Sequence, residues 1–482
     1  MSPLDPSMVD LIAGYFFVIK IAISMVAFLI FVSSLDDCFI DAVYWLRRLY
    51  RHAVIYRRFP RITASDLRHG APARFIAILI PAWREANVIG AMLNHLLCHY
   101  DYPRFALFVG VYPNDPATRT AAEAVRATHP LAARRLHIIP VPHAGPTSKA
   151  DCLNALYRAA VKHAAPPDII VLHDAEDVVH PWEGWIFNHL IPRKAMVQLP
   201  VVPFSRPGLH LVGGHYADEF AEAHVKDLVV REALTGAALS AGVGCAFAAA
   251  ALAKAARQRG GAPFNTSSVT EDYDLALALG LSGMRTVFVR MPHAARQRAA
   301  PATHEYFPTR LGPAVRQKAR WLLGITLQGW VSFGWRGNRW QRYMLWRDRK
   351  ALFTAQIAAA AYFLAFNLLL FMVLRRLWPA FPTLPGLVTA GGITEYLLIA
   401  NVALLANRLL QRALCVGRVY GPRQAFLSAL RMLAANLINF IASLRALRLF
   451  LVSLVRRRAV PWDKTEHAFP SQPARETATP GL

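Results

Sequence analysis

Hydrophobic and polar positions divide the chain into three zones. Residues 11–35, LIAGYFFVIKIAISMVAFLIFVSSL, form an apolar run whose only charge is Lys20. A helix needs about 20 such residues to cross a ~30 Å hydrocarbon core. The run therefore predicts a first membrane-spanning helix, with the Lys20 ammonium snorkelling to an interface or facing another helix. From about Arg74 the pattern changes to short β-rich runs, FIAILIPAW, FALFVGVYP, RLHIIPVP, DIIVLHDAED and MRTVFVRMP, separated by Ala-rich helical stretches. Strand and helix in alternation predict an α/β fold with a mostly parallel sheet between helices. Ligands of such sheets gather beyond the carboxyl ends of the strands. The polar residues directly after each apolar run are thus the candidate chemistry.

Past Lys350 the hydrophobicity returns. Residues 355–374, AQIAAAAYFLAFNLLLFMVL, predict a second span, and residues 386–406, with Glu395 near the outer end, a third. The final apolar stretch, Phe426 to Val455, is interrupted by Arg431, Arg445 and Arg448 at near-helical spacing. It predicts a pair of amphipathic helices lying in the interface. The expected organisation is a transmembrane helix in 1–35, a basic juxtamembrane segment in 36–69, the α/β domain in 70–325 and an interfacial basic and aromatic segment in 326–350. Two transmembrane helices follow in 351–410, with amphipathic helices and a polar tail in 411–482.

Composition sharpens this picture. Apolar residues make up 55% of the chain and charged residues 17%, yet the apolar excess sits near the two ends. Lys and Arg number 54 against 30 Asp and Glu, a formal charge of +24. The surplus flanks the apolar stretches, as in RRLYRHAVIYRRFPR and WRGNRWQRYMLWRDRK, which marks a cytoplasmic side. Residues 36–350 and the WDKTEHAFP segment are expected inside, and the turn near Pro379 to Pro385 outside. Charge placed this way points to membrane lipid and argues against nucleic acid as a partner. The five cysteines show no CxxC pair or metal-finger spacing and read as reduced thiols. Asp5 and Asp10 precede the first run where a cleavable signal would be basic.

Three clusters carry candidate chemistry. The run DIIVL ends in LHDAEDVVHP, where Asp174 and Glu176 alternate around Ala175 and can share a divalent cation, Mg2+ or Mn2+, with a diphosphate. Taken alone, such carboxylates are as often helix caps or solvated loop residues. TEDYD, with Thr270, Glu271 and Asp272, opens a helical stretch; a carboxylate there can take the proton of an attacking hydroxyl, or the cluster can simply cap the helix. Gln317, Arg320 and Trp321 fall at i, i+3 and i+4 and put an amide, a guanidinium fork and an aromatic plane on one helix face. The plain alternative is a surface helix with a buried Trp.

In this order the three clusters resemble the family-two glycosyltransferases of GT-A fold, whose signature is a DxD-type metal motif, a TED-type base motif and QxxRW. The resemblance extends upstream to Pro81 and Glu85 in P-x-x-x-E, Asp115 in VYPNDPAT, and Gly145, Lys149, Ala150, Leu153 and Asn154 in G-x-x-x-K-A-x-x-L-N. The one departure is Glu176 where a second Asp usually stands, with Asp177 beside it. The resemblance implies a GT-A domain and inversion by direct displacement. Glu85 and Asp115 would bind the uridine of a UDP-sugar, and Lys149 would lie near its phosphates. Asp174 and Glu176 would hold the metal, and Glu271 and Asp272 would be the catalytic carboxylates, with Asp272 as base. Gln317 and Arg320 would hold the phosphates, while Trp321 would stack on the acceptor end. The acceptor would be a growing glycan or a lipid-linked sugar, and export of a polymer would call on an envelope partner or a homo-oligomer. Longer members add a C-terminal regulatory domain, and control through it is not expected of these 482 residues. A competing reading is a non-catalytic membrane component of a phage-receptor or export system that kept the fold. The intact carboxylate pairs and QxxRW weigh against it.

Overall fold

The computed structural model describes residues 5–68, 70–294, 300–378, 381, 386, 388–456 and 468–470. Most of the expected external turn near Pro379 to Pro385 and most of the WDKTEHAFP segment lie outside the described residues. Nine strands are described: β1 Ile76–Pro81, β2 Phe105–Val111, β3 Leu136–Pro140, β4 Ile169–Leu172, β5 Met196–Gln198, β6 Val201–Pro203, β7 Cys245–Ala248, β8 Thr286–Phe288 and β9 Thr303–Glu305. Seven of them form one sheet in the order β3-β2-β1-β4-β7-β5-β8, and β6 pairs with β9 in a separate ribbon. All pairings in the large sheet are parallel except those of β7, which runs against both β4 and β5. The mixed α/β expectation is met. The apolar runs were readable because β1, β2 and β4 are buried along their whole length, as strands covered on both faces must be. The short strands β5, β6, β7 and β9 carry too few residues to show a period and were not anticipated.

Crossover helices close both faces. Alternate residues of β1 enter different cores: Ile76, Ile78 and Ile80 face one, Ala77 and Leu79 the other. The connections that leave β1, β2 and β4 at their carboxyl ends carry Glu85, Asp115 and Asp174. The sheet therefore brings the three sequence motifs to one edge.

Among the described residues four helices are long and apolar enough to cross a membrane: Ser7–Arg58, Arg339–Leu377, Ile393–Tyr420 and Pro422–Arg456. The first regular helix, Pro6–Tyr50, has 45 residues and is about 68 Å long at 1.5 Å per residue. It continues well beyond the apolar run, so residues 36–50 of the segment expected to begin at residue 36 belong to this helix and not to a separate element. Its acidic residues are paired there: Asp36 and Asp37 with Arg347 and Lys350 of the second long helix, Asp37 also with Arg408 of the third.

The expected amphipathic pair at the C-terminal end is one uninterrupted helix, Pro422–Arg456. Arg431 does not break it. Its guanidinium turns inward and meets both carboxylate oxygens of Asp218 at 2.8 and 2.6 Å, with side-chain exposures of only 1% and 0%. Further along, Ile438, Ala442 and Ala446 pack against Ala314, Val315 and Ala319 of the Leu311–Leu322 helix. The opposite face exposes Phe426, Leu430, Leu433, Leu437 and Leu451. Large apolar side chains outward and small or polar ones inward is the reverse of a soluble surface helix and suits contact with lipid.

Removing one partner of a buried ion pair strands the other charge. Asp218→Ala should therefore lower unfolding stability by about 3–5 kcal/mol, while Asp218→Ala combined with Arg431→Met should recover most of it. Denaturation of the three proteins in one detergent measures this, and an Asp218→Ala protein as stable as the parent would contradict the pairing.

Candidate active site

Three loops at the carboxyl edge of the sheet are locked together first. Asp115 is the N-cap of the helix Pro116–Thr128, its carboxylate accepting from the Thr118 amide at 3.4 Å and from the Arg84 amide at 2.6 Å. The Glu85 amide donates to the Thr118 hydroxyl at 2.8 Å, so Glu85 and Asp115 are held side by side, both buried. Asn114 clasps Gly145, its amide group donating to the Gly145 carbonyl at 2.6 Å and its carbonyl oxygen accepting from the Gly145 amide at 2.8 Å. A Cβ at Gly145 would lie 2.5 Å from the Trp83 ring, so the loop after β1 and the segment leading to Lys149 can meet only across a glycine.

Lys149 opens the helix Lys149–Val161, capped by Ser148, and points its ammonium at Asp174, 2.6 Å away. Burial alone would lower the lysine pKa. The carboxylates of Asp174, Glu271 and Asp272 outweigh it, and the ammonium is held charged with its pKa raised. Asp272 and Glu271 begin the helix Glu271–Leu281. Burial raises both acids, Glu271 to about 7, against the opposing pull of Lys149. Gly242, at φ +83°, leaves room for Asp272: a Cβ there would lie 2.9 Å from its Oδ2. A tight turn and close approach to the carboxylate are both true of this glycine.

Within LHDAEDVVHP the carboxylates have different partners. Asp177 is fully buried and turned away from Lys149, accepting from His173 Nδ1 at 2.7 Å and from the Asp174 amide at 3.0 Å. His173 sits between Asp177 and Glu183, 3.0 Å from the latter, and although burial opposes charge these two carboxylates raise its pKa to about 10. A buried imidazolium thus fixes the turn that presents Asp174 and Glu176. His180 does the opposite, its pKa depressed to about 3 by burial beside His293.

One acid was missed in the sequence. Glu305 ends β9, and the bridge Val178 to His304 lays it against the acidic motif; burial, then Asp177, Glu176 and Asp174, push its pKa well up. No signal marked it, because it lies in a three-residue strand. Conversely, Asp274 of TEDYD faces away, 2.6 Å from Arg259.

The QxxRW helix, Leu311–Leu322, reaches the base motif through Gly324, where any Cβ would collide with Thr270. Thr270 occupies the N-cap position but makes no cap hydrogen bond with its side chain, contrary to the simple capping alternative. Gln317 is buried with its Oε1 unpartnered among the described residues. Lys318, outside the signature, anchors the helix to Glu219 and, at 3.1 Å, to Asn439 of the last long helix. Trp321 packs edge-on against Tyr216 and Phe307 at centroid distances of 5.9 and 6.2 Å, so much of its surface is already committed within the protein. Arg320 is half-buried on the same helix.

A hard cation wants oxygen ligands, and Mg2+ usually takes one or two carboxylates beside substrate phosphates. Among the described residues no three His, Cys, Asp or Glu side chains form a self-sufficient metal cage. Asp174 and Glu176 are the right donor type and number for a cation completed by a diphosphate.

Residues 72–324 match the family described as glycosyltransferase like family 2. The chain belongs to that family. As a family 2 glycosyltransferase chain it is 39% identical to Bacteriophage adsorption protein B of Escherichia coli (strain K12), and equally to Bacteriophage N4 adsorption protein B of Escherichia coli O157:H7. Each alignment covers 96% of this chain but 64% of the relative, so the chain spans less than two thirds of the length of these proteins. The mannosyltransferase PcManGT from Pyrobaculum calidifontis, solved with GDP-Man and Mn2+, superposes with a TM-score of 0.52 over 88% of this chain and 99% of its own, at 16% identity. That likeness shows the GT-A-type fold.

Overpacking a close contact costs about 1–3 kcal/mol. Gly324→Ala should lower stability by that amount, Gly324→Val by more, and shortening Thr270 to Ala should restore part of the loss. Thermal unfolding measures the series, and a neutral Gly324→Ala would contradict the contact between the two motifs.

Proposed function

We propose that this chain is a membrane-bound inverting glycosyltransferase that moves a sugar from a nucleotide-diphosphate donor, UDP-linked, to a glycan or lipid-linked acceptor at the cytoplasmic face of a bacterial inner membrane. The observation that carries this reading is the partly buried charge centre in which Lys149 pairs with Asp174 and feels the charges of Glu271 and Asp272 at the carboxyl edge of the sheet. Perturbed acids gathered around one cation in a ligand-binding edge are what group-transfer chemistry needs and what stability alone disfavours.

In this reading Glu85 and Asp115, fixed by Thr118 and Arg84, border the nucleotide base. Lys149 turns from Asp174 to the donor diphosphate, and Gln317 through its amide N–H and Arg320 through its guanidinium donate to the phosphate oxygens. Asp174 and Glu176 would hold Mg2+ or Mn2+, whose chemistry is to neutralise the leaving diphosphate. Asp272, made more basic by burial, takes the proton of the acceptor hydroxyl as that oxygen bonds to the anomeric carbon and the bond to the diphosphate breaks. Glu271 shares the charge field of Lys149, and Trp321 lines the acceptor side.

Arg-rich sequence at the inner ends of the long helices supports a cytoplasmic catalytic domain. A polymer product would need a polar path through lipid, which few helices cannot line alone. Export would then require further protomers or envelope partners.

Membranes containing the protein, supplied with UDP-sugars, should yield a product whose mass identifies the transferred sugar. Excess chelator and Asp174→Ala should each abolish it, and turnover that survives chelation would remove the metal from the account. Asp272→Asn should lower turnover by at least about a hundredfold with donor binding nearly intact. A matching loss of donor affinity would place Asp272 among the donor ligands instead.

A further inference from the structure

Downstream of the family signature, WRDRK (Trp346 to Lys350) is divided between two structures. On the Arg339–Leu377 helix, Arg347 and Lys350 stand at i and i+3 and pair with Asp36 and Asp37 of the first long helix. Asp348, between them in sequence, points the other way. Its Oδ2 accepts from the Tyr273 hydroxyl at 2.8 Å, its Oδ1 pairs with Arg231, and its carbonyl accepts from the Thr326 hydroxyl at 3.1 Å. Tyr273 directly follows Asp272, and Thr326 lies in the turn after QxxRW. Arg349 lies over the rings of Trp330 and Trp335 and donates to the Gly334 carbonyl. Around this point Tyr273, Leu277, Phe333 and Leu345 form their own apolar cluster.

We propose that Asp348 is a positioning residue, which holds Tyr273 and thereby the base Asp272 in register with the paired membrane helices, so that transfer depends on how those helices pack. The proposal rests on Asp272 being the base. Both Asp348 carboxylate oxygens are spent on the catalytic domain while Arg347 and Lys350 are spent on the first long helix, and Tyr273 is too deeply buried to find water in place of Asp348. The first turn of the Glu271–Leu281 helix has no side-chain cap from Thr270, so the Tyr273 bond joins the Asp274–Arg259 pair in anchoring that turn, and it is the bond that reaches the Arg339–Leu377 helix. Its role is orientation: a base misplaced by about 1 Å can lose on the order of a hundredfold in rate.

The test uses the full chain in membranes with the UDP-sugar that the wild type turns over, comparing Asp348→Asn, Asp348→Glu, Tyr273→Phe, the Asp348→Asn/Tyr273→Phe double variant and Asp272→Asn. Asp348→Asn and Tyr273→Phe should each lower kcat at least about tenfold with donor KM changed less than about twofold. The double variant should be no slower than the worse single one, and Asp348→Glu should regain part of the rate. Amide hydrogen exchange should quicken in 271–277 and not across β1, β2 and β4. Unchanged kcat, additive losses, or parallel loss of kcat, donor affinity and melting temperature would overturn the proposal. Tyr273→Phe, which keeps the ring in its cluster, decides the matter if Asp348→Asn does not fold. Wild-type turnover in Asp272→Asn would instead defeat the base assignment, whatever the Asp348 variants do.

Discussion

The ion pair of Lys149 and Asp174, 2.6 Å long and half-buried, is the constraint around which the domain is arranged. Collecting Asp174, Glu271 and Asp272 with Glu176 and Glu305 nearby at one edge of a sheet is costly, because each charge loses its water and repels the others. One ammonium offsets part of that cost and pulls the acids together. The remainder shows in the raised pKa values of Glu271, Asp272 and Glu305. Such a centre is incomplete by construction. In the proposed reading, a divalent cation brought with the donor diphosphate would add the positive charge that these acids lack.

The surrounding structure keeps this centre from relaxing. His173, protonated between Asp177 and Glu183, fixes the turn after β4 from behind. Glycines at 145, 242 and 324 let Trp83, Asp272 and Thr270 approach neighbouring backbone more closely than any side chain would permit. On the membrane side, Lys318 ties the QxxRW helix to the last long helix, and Asp348 ties the base motif to the second. The inner faces of those helices share apolar clusters and ion pairs with the catalytic domain, while their apolar outer faces stay exposed.

The motif order and the parallel core were legible because both are local: a buried strand is an apolar run, and chemistry follows its carboxyl end. The residues that escaped notice depend on distant partners. Arg431 looked like a break in an apolar helix because Asp218 is 213 residues away. Glu305 had no pattern to mark it, and its meaning comes from a bridge to Val178. Spacing left Glu176 and Asp177 open, and it gave no hint of the buried His173 that bonds Asp177. Trp321 was recognisable as part of QxxRW, but its packing against Tyr216 and Phe307 depends on residues from two other segments.

Equilibrium binding of UDP to the purified protein, with and without Mn2+, tests most directly whether this charge centre is a donor-diphosphate site. The account predicts UDP binding that needs Mn2+ and is lost in Asp174→Asn. Binding of UDP that is indifferent both to Mn2+ and to Asp174→Asn would contradict it.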